Sequence, residues 1–406
     1  MTATGAVTRE SILDAARMLE GVVVRTPVET SRVLSELTGQ RVLLKCENLQ
    51  RAGSFKVRGA YVRMARLSEE ERRHGVVAAS AGNHAQGVAV AAKNLGIHAV
   101  VYMPTDASLP KVAATREYGA EVRLVGSSVD DALAAAHQHA RATGAVLIHP
   151  FDHPDIVAGQ ATIACEILEQ VPDVATVLVP VGGGGLAAGL VAAFGHLAPH
   201  VRVVGVQAER MAAYPRSLHD GAPAAVEPRS TMADGIAVGL PGQVPFDVIA
   251  HGNAEVRTVS EEHLSRGLLL VAERAKLLVE PAGAAGVAAL IAEPHSVEGP
   301  VVCVLSGGNI DPVVLLRVVR HGLASAGRYL QVRVLLTDRP GALANLMLDL
   351  AEVGGNVMHV EHVRTGPHLA IDEVEVVAQV ETKGHEHCAE LLDHLRRQGY
   401  VLPDER

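Results

Sequence analysis

The chain has 406 residues, of which 48% are hydrophobic and 20% are charged, and its formal net charge is −9. This composition is typical of globular proteins and excludes disorder as the main state, while the length predicts two or three domains. The negative charge gives no electrostatic reason to expect nucleic acid or an anionic membrane as a partner. A small anionic ligand would therefore need a local positive site made of backbone amides or a few basic side chains.

The cysteines and the N-terminal segment predict a soluble, cytoplasmic protein. The four cysteines are scattered without the spacing of a metal site, which favours a reducing compartment and predicts no metal. Residues 1–20 lack the apolar core of a signal peptide. The long apolar run 174–194 contains Pro180 and several glycines at its centre, which favours a strand, a turn and a helix over a membrane span.

Short β-branched runs alternate with Ala-rich segments of helical period from about residue 41 to residue 320. This alternation predicts an α/β fold with mainly parallel sheets and helices on both faces, and its strands should be continuous apolar runs. The predicted strands are 42–45, 76–79, 99–103, 122–125, 177–180, 201–206 and 301–305. The predicted helices are 57–67, 83–95, 109–118, 129–143 and 186–194.

The pattern changes after about residue 328. The predicted elements are a strand at 329–337, a helix that ends at Gly354 and Gly355, strands at 357–363 and 374–380, a helix at 386–397 and an optional strand at 400–402. The first helix has an apolar face of Leu343, Leu346, Met347, Leu350 and Ala351, and the second has one of Cys388, Leu391, Leu392 and Leu395. The order β-α-β-β-α predicts an α+β sandwich of the ferredoxin-like type.

Four consecutive glycines, 182–185, and then Leu186 come directly after a predicted strand and open a predicted helix. Without side chains, several backbone amides can converge on one anion, so this glycine-rich turn predicts a phosphate site. Its spacing, with Glu209 after the next strand, also fits a dinucleotide site loosely. A third interpretation is a tight turn in which glycine only lets the helix approach the strand.

Lys56 lies in the segment 53–60, Gly-Ser-Phe-Lys-Val-Arg-Gly-Ala, at a predicted transition from loop to helix. A lone lysine is usually a solvated surface group. Among Ser, Phe and glycine residues a buried amine is the alternative, because burial lowers the pKa of a lysine and makes it a nucleophile that forms Schiff bases. A cofactor with both an aldehyde and a phosphate would connect Lys56 with the glycine-rich turn.

Two further polar loops follow predicted strands. The first, 80–84, opens a predicted helix. Its backbone amides could hold a carboxylate, and the side-chain amide of Asn83 could bind a phenolic oxygen. The alternative is that Ser80 or Asn83 is an ordinary N-cap of the helix. The second, 306–309, has the sequence Ser-Gly-Gly-Asn. The Ser306 hydroxyl could face a pyridine nitrogen and leave that ring unprotonated, or the segment could be an ordinary βα turn.

Together these four segments resemble the fold-type II pyridoxal-phosphate enzymes, in particular the threonine and serine dehydratases and serine racemase. The resemblance covers about residues 8–322 and implies two parallel-sheet α/β subdomains with pyridoxal 5′-phosphate as the cofactor. The implied catalytic residues are Lys56, as the Schiff-base lysine, and Ser80. The other implied cofactor contacts are Phe55 beside the ring, Asn83 at the 3′-oxygen, Ser306 at the pyridine nitrogen, Gly182, Gly183, Gly184, Gly185 and Leu186 at the phosphate, and Gly235 and Glu280 along the pocket. The implied substrate-carboxylate loop consists of Ser80, Ala81, Gly82, Asn83 and His84.

The resemblance implies the β-elimination of L-threonine to 2-oxobutanoate and ammonia, and of L-serine to pyruvate, in isoleucine biosynthesis or threonine catabolism. The alternatives are a dehydratase of serine or 3-hydroxyaspartate, a serine racemase, and a non-catalytic amino-acid sensor. Racemases of this family carry a serine at the position of Ala81, so racemisation is expected to be weak here. Their carboxylate metal ligands fall on Gln207 and Ala213, which argues against a divalent-cation site.

The C-terminal segment resembles ACT domains, most clearly at 338–343. The resemblance implies a regulatory domain at 329–406 after a catalytic domain at 1–325, whose smaller subdomain covers about 53–150. ACT domains commonly pair across subunits, so a homo-oligomer, a dimer or a tetramer, is implied, with an amino acid or a nucleotide as effector. The implied effector contacts are Asp338, Gly341, Ala342, Leu343 and Asn356. A purely structural dimerisation module is the alternative.

Overall fold

The computed structural model describes residues 7–366 and 369–403. The chain divides into two compact units, 1–315 and 316–406, and the division lies inside a helix, Pro312–Ser325. The first unit is α/β and contains parallel sheets, as the alternation of elements predicted. Among the described residues, no helix has both the length and the apolar character needed to cross a membrane.

The strands of the first unit form two sheets. In chain order they are β1 (Val28–Thr30), β2 (Val42–Lys45), β3 (Val76–Ala79), β4 (Ala99–Met103), β5 (Glu121–Leu124), β6 (Val146–Leu147), β7 (Thr176–Pro180), β8 (Arg202–Ala208), β9 (Glu255–Val259) and β10 (Val301–Val304). The larger sheet has six strands in the order β1-β2-β10-β7-β8-β9, and only β1 is antiparallel to its neighbour. The smaller sheet is parallel, in the order β5-β4-β3-β6.

Helices precede, connect and follow the strands of the first unit, since parallel strands need crossover connections. They are α1 (Arg9–Leu19), α2 (Arg32–Thr38), α3 (Lys56–Ala65), α4 (Glu69–His74), α5 (Asn83–Leu95), α6 (Leu109–Glu117), α7 (Val129–Thr143), α8 (Pro154–Gln170), α9 (Gly185–Leu197), α10 (Ala213–Asp220), α11 (Gln243–His251), α12 (Glu261–Leu270), α13 (Ala285–Ala292) and α14 (Pro312–Ser325). The apolar run at 174–194 is a strand, a glycine turn and a helix, which confirms that prediction.

Strand burial follows position in the sheet. Every residue of the central strands β2, β3, β7 and β10 is buried, as expected for strands covered on both faces. The expectation was wrong for β5, which is largely exposed because it lies at the edge of the smaller sheet.

Close helix contacts hold the start of α3, where Lys56 lies. A Cβ on Gly159 of α8 would come within 2.5 Å of Gly59 Cα, so these glycines allow α3 and α8 to cross at backbone distance. Arg58 is fully buried and pairs with Glu47 at 2.8 Å and with Glu166 at 2.7 Å. Removing one partner of such a buried pair costs about 3–5 kcal/mol, so this turn of α3 is firmly held.

The second unit has the predicted order β-α-β-β-α. Its elements are β11 (Tyr329–Thr337), α15 (Ala342–Glu352), β12 (Asn356–Val363), β13 (Glu373–Glu381) and α16 (His385–Arg397). The antiparallel sheet has the order β11-β13-β12. At the position of the possible last strand, 400–402, one isolated β-bridge joins Val401 to Leu335.

One face of this sheet is covered by the two helices. The alternating residues Val374, Val376, Ala378 and Val380 are buried, as the strand pattern predicted. On α15, Leu346 and Leu350 are buried, but Ala351 is exposed, so its assignment to the apolar face was wrong. Ala351 follows Leu350 by one residue and is therefore turned about 100° away from it around the helix axis.

Candidate active site

Lys56 is the first residue of α3 and is partly buried. Its Nζ donates a hydrogen bond to Pro150 O at 3.0 Å and lies 5.2 Å from the centre of the Phe55 ring. Burial lowers the pKa of the Lys56 amine to about 8, although the Glu280 carboxylate acts in the opposite direction. A share of the amine is therefore neutral near physiological pH, which is the form that attacks a carbonyl.

The glycine-rich turn at 182–185 packs against large side chains. A Cβ on Gly183 would lie 2.4 Å from atoms of the Phe151 ring, and one on Gly184, whose φ is +100°, would lie 1.8 Å from Tyr214 Oη. Gly183 O accepts hydrogen bonds from Tyr214 Oη at 3.3 Å and from Gly242 N at 3.1 Å. Because a trans peptide is planar, the amide of Gly184 points the opposite way, away from these donors.

The segment 149–151 connects the turn with Lys56. Pro150 accepts the lysine hydrogen bond, and Phe151 packs on Gly183. The rings of His149 and Phe151 meet edge to face at 4.7 Å, and burial lowers the pKa of His149 to about 4, so this imidazole is neutral. Sequence reasoning missed this segment; the only available signal was the polar and aromatic run His-Pro-Phe-Asp-His after β6.

Glu280, Asn83 and Gly235 come together, although they are distant in sequence. Glu280 is 4% exposed, and its Oε1 accepts a hydrogen bond from Asn83 Nδ2 at 2.7 Å. A Cβ on Gly235 would lie 3.2 Å from the same oxygen. Burial raises the pKa of Glu280 to about 7, and the nearby Asp234 carboxylate adds to the shift.

Asn309 was missed as a site residue. Its Nδ2 donates to Asn83 Oδ1 at 2.9 Å and to Ala52 O at 2.7 Å, so the Asn83 amide is held with its oxygen toward Asn309 and its nitrogen toward Glu280. A Cβ on Gly53 would come within 2.3 Å of Asn309 Oδ1, which explains the glycine there. Asn309 ends the Ser-Gly-Gly-Asn segment, so the signal was present, but a role was given only to its serine.

Ser306 lies where two distant segments meet. It is 3% exposed, and its backbone oxygen accepts a hydrogen bond from Phe55 N at 3.2 Å. Ser54 and Gly307 form an isolated antiparallel bridge. The segment that contains Lys56 and the segment that follows β10 are thus hydrogen-bonded to each other.

The loop at 80–84 opens α5 in an unexpected way. Gly82 is the N-cap residue, with no side-chain cap bond, and Ser80 Oγ accepts instead from Gly82 N at 3.1 Å, so the interpretation of Ser80 or Asn83 as an N-cap was wrong. A Cβ on Gly82 would meet no atom within 4 Å, so the loop borders open space. The α5 helix packs on Lys56, since a Cβ on Gly87 would lie 3.0 Å from Lys56 C.

His84 is placed differently from the rest of this loop. Its side chain is buried, and Nε2 lies 2.8 Å from Ile148 O. Burial lowers the pKa of His84 to about 3, and the Lys56 charge acts in the same direction, so the ring is neutral and Nε2 donates to the carbonyl. The imidazole Nε2 therefore already has a hydrogen-bond partner within the protein. The backbone amide is the part of His84 that could bind a substrate.

The segment after β8 supports the turn. Gln207 is buried, and its Oε1 accepts a hydrogen bond from Tyr214 N at 2.9 Å, which helps to place the phenol under Gly183 and Gly184. Glu209 is exposed in a short 3-10 helix. A role in positioning Tyr214 thus accounts for Gln207, one of the two positions on which the family resemblance placed metal ligands.

The residues present fit pyridoxal phosphate. A partly neutral amine, a turn of glycines at the start of α9, and buried polar side chains around both are the groups that an aldehyde, a phosphate and a polar ring require. The fold of the first unit, two mainly parallel sheets with helices and this site, defines an enzyme of that cofactor class. The chain belongs to the family of pyridoxal-phosphate dependent enzymes, whose model matches residues 19–307.

Within that family, the chain is similar to enzymes of hydroxy amino acids. It is 45% identical to an L-threonine ammonia-lyase of Thermotoga maritima over 396 residues, which is 98% of this chain and 99% of that protein. The processed form of threonine deaminase isoform 2 from Solanum lycopersicum is 34% identical and superimposes with a TM-score of 0.73 over 77% of this chain and 88% of that one. Maize serine racemase is 32% identical, with a TM-score of 0.74 over 77% of this chain and 96% of that one.

A second candidate site lies in the C-terminal unit. Asp338, Gly341, Ala342 and Leu343 line a cavity of about 460 Å³. Arg364 also lines it and pairs with Asp338 at 3.2 Å.

Asn356 does not lie beside this loop within one chain. Asn356 pairs with Glu381 at one end of the sheet, whereas Asp338 follows the opposite end of β11. The length of that strand separates them by roughly 25 Å.

Proposed function

We propose that the protein catalyses the β-elimination of L-threonine to 2-oxobutanoate and ammonia, and of L-serine to pyruvate and ammonia. The observation that carries the proposal is the Lys56 amine, whose pKa is lowered by burial to about 8 and which donates a hydrogen bond to Pro150 O. The 45% identity with an L-threonine ammonia-lyase over nearly the whole chain supports the choice of substrate.

Lys56 would hold the cofactor and move the proton. When bound, pyridoxal phosphate would supply an aldehyde that joins an amine and a ring that draws electrons from Cα. Lys56 Nζ would bond the cofactor, and once free it would take the Cα proton of the substrate as a general base. An amine with a pKa of about 8 suits both tasks, because it is neutral in part of the molecules at neutral pH and still binds a proton well.

The other predicted contacts would hold the phosphate and the ring. The glycine-rich turn and Leu186 present amides at the start of α9, where the helix dipole favours an anion. Asn83 Nδ2 has two hydrogens, so after donating one to Glu280 it keeps the other for the 3′-oxygen. The Ser306 hydroxyl would face the pyridine nitrogen, with Phe55 and Gly235 along the pocket.

The loop at 80–84 would bind the substrate carboxylate through its amides, with Ser80 beside the reacting carbons. Ala81 has no proton to give to the opposite face of Cα, which favours elimination over racemisation. Serine racemase is the second candidate function, because a solved structure of that name superimposes on the first unit at 32% identity. A serine or 3-hydroxyaspartate dehydratase and a non-catalytic sensor have less support, since Lys56 is intact and activated.

Release of 2-oxo acid from L-threonine, L-serine and 3-hydroxyaspartate, measured with the Lys56→Ala variant and the wild type, tests the proposal. We expect Lys56→Ala to lose the visible absorbance of the bound cofactor and to lower kcat by at least about a thousandfold. Lys93→Ala, an exposed lysine on α5, is the matched control and should keep both. Turnover of threonine by Lys56→Ala at the wild-type rate would contradict the assignment.

For the C-terminal unit we propose an ACT-type regulatory domain at 329–406 that serves a catalytic domain at 1–325 and binds an amino acid or a nucleotide. The Asp338–Arg364 pair beside the 460 Å³ cavity offers one charge of each sign, which suits a zwitterionic amino acid. Asn356 would contribute only from another chain, because it lies at the opposite end of the sheet. A homo-oligomer, a dimer or a tetramer, in the cytoplasm is part of this proposal.

A further inference from the structure

The second unit contains a cluster of metal-type ligands that the proposed reaction does not use. Asp349 and Glu352 lie one turn apart on α15, and His394 lies on α16. One donor atom from each of the three lies within 4.8 Å of the other two. Both carboxylates are in the last turn of α15, which has no basic residue there, so they face the negative end of the helix dipole without compensation from their own helix.

His394 is the residue that points to a ligand. It is only 8% exposed, and its Nε2 is buried without a hydrogen-bond partner. Glu352 Oε2 lies 3.8 Å from this nitrogen, which is too far for a hydrogen bond. Metal–ligand bonds of about 2 Å on each side would span that gap, so a cation between the two atoms would satisfy both.

Tyr400 orients the third ligand. Its phenol donates a short hydrogen bond to Asp349 Oδ2, so the carboxylate is held in one direction. Ligand carboxylates that accept a hydrogen bond from a second residue are a common feature of metal sites, because the bond fixes the ligand before the ion arrives.

We propose that Asp349, Glu352 and His394 bind a first-row divalent cation, preferentially Zn²⁺, between α15 and α16. One imidazole and two carboxylates form a donor set that suits Zn²⁺, and their two negative charges match the charge of the ion. Water completes the coordination shell, because the Glu352 side chain is 70% exposed. This site is independent of the proposed elimination reaction and of the effector cavity at 338–343.

The rival arrangement is a direct ion pair between protonated His394 and Glu352, with no ion bound. It requires the same residues to approach by about 1 Å, from 3.8 Å to hydrogen-bond distance. The two arrangements differ in whether the protein takes up Zn²⁺ at this place.

Equilibrium dialysis of the full-length, cofactor-loaded protein against buffered Zn²⁺, with elemental analysis of the protein, tests the proposal. Glu352→Gln is the first variant, because its side chain is exposed and the change leaves the core intact. We expect the wild type to bind about one equivalent of Zn²⁺ per chain. We expect the affinity of Glu352→Gln for this equivalent to be lower by about tenfold or more. Glu361→Gln, an exposed glutamate on β12, is the matched control and should keep that equivalent.

A second variant, His394→Gln, should lose the same equivalent, and Tyr400→Phe should weaken it less, because the tyrosine acts only through Asp349. Mg²⁺ at equal concentration should compete poorly, since it prefers oxygen ligands alone. Zn²⁺ uptake that is identical in the wild type, Glu352→Gln and His394→Gln would overturn the proposal, as would a wild type that takes up none. Loss of threonine turnover in the Lys56 variant has no bearing on this outcome, so the two proposals fail separately.

Discussion

Burial sets the charge of the two groups nearest the proposed chemistry. The pKa of Lys56 is lowered to about 8 and that of Glu280 is raised to about 7, both because desolvation penalises their charged forms. Each group therefore changes its protonation close to neutral pH, which is the range in which a general acid or base works best. Glu280 also accepts a hydrogen bond from the Asn83 amide. The protonation of Glu280 therefore affects how Asn83 is held for its proposed contact with the cofactor's 3′-oxygen.

Glu280→Gln should remove a pH-dependent loss of stability. The pKa of the folded state, about 7, exceeds the reference value of 4.5, so the stability that the protonated carboxyl provides is fully present below 4.5 and is lost as the pH rises through 7. The full loss is about 3 kcal/mol in the free energy of unfolding. Glutamine at this position does not ionise, so the variant does not undergo this loss, and it keeps an acceptor for Asn83. The urea midpoint of the variant should exceed that of the wild type at pH 8 and approach it at pH 5.

The exposed Glu169→Gln change is the control for this measurement, and it should show no such pH dependence. A gap between Glu280→Gln and the wild type that stays equal at pH 5 and pH 8 would mean that the carboxyl titrates normally.

Ala81→Ser should create the missing proton donor at the opposite face of Cα. A Cβ on the adjacent Gly82 would meet no atom within 4 Å, so the loop borders open space there. We expect serine racemisation to rise by about a hundredfold, the lower limit of a general acid–base contribution, while elimination continues. Chiral chromatography of the serine pool measures this, and Ala81→Gly serves as the control without a hydroxyl. If serine racemisation does not rise in Ala81→Ser, position 81 does not face the opposite side of Cα.

The phosphate-binding role proposed for the glycine-rich turn before α9 can be tested separately from the stability of the helix. Gly183→Ala, in the turn before α9, would drive a methyl group into the Phe151 ring at 2.4 Å, whereas a Cβ on Gly195, within α9, would have no neighbour within 4 Å. We expect Gly183→Ala to lower the affinity for pyridoxal phosphate by at least about tenfold, because the turn must shift by more than an ångström. Fluorescence titration of the apoprotein with the cofactor gives the affinity.

Gly195→Ala is the matched change and should keep cofactor affinity while stabilising the helix by up to about 1 kcal/mol. Equal cofactor affinity in the wild type and in Gly183→Ala would contradict the role of the turn, since the methyl group cannot be accommodated without moving its backbone.

Truncation can separate the roles of the two compact units. A chain truncated after Gly327 keeps the first unit, 1–315, and the whole of α14. We expect it to retain threonine turnover, because the residues proposed for catalysis all lie before residue 310, and to lose any response to isoleucine, valine or nucleotides. Activity assays with and without these compounds measure the response. A truncated enzyme whose response equals that of the full chain would move the effector site into the first unit.

Local patterns were sufficient for most elements and for the motif residues. The helices α5 and α7 and the strands β2, β3 and β4 have the predicted bounds, because strand and helix periodicity and their capping glycines act within a few residues. The Lys56 segment, the loop at 80–84, the glycine-rich turn and the Ser306 segment could be named because each follows or opens an element in a recognisable way. The edge position of β5 could not, since it depends on the order of strands in the sheet.

Lys56, the glycine-rich turn, Asn83 and Ser306 could thus be named as candidate site residues from the sequence alone, which also determined the α/β class of the first unit. Only the tertiary structure decided what holds them. Pro150 meets Lys56 across 94 residues and Asn309 meets Asn83 across 226, and no local pattern marks such contacts. The same holds for Asn356, whose separation from Asp338 depends on strand direction. The physical reason is that backbone propensity and periodicity act over neighbouring residues, whereas burial, pKa and hydrogen-bond partners depend on which distant segments pack together.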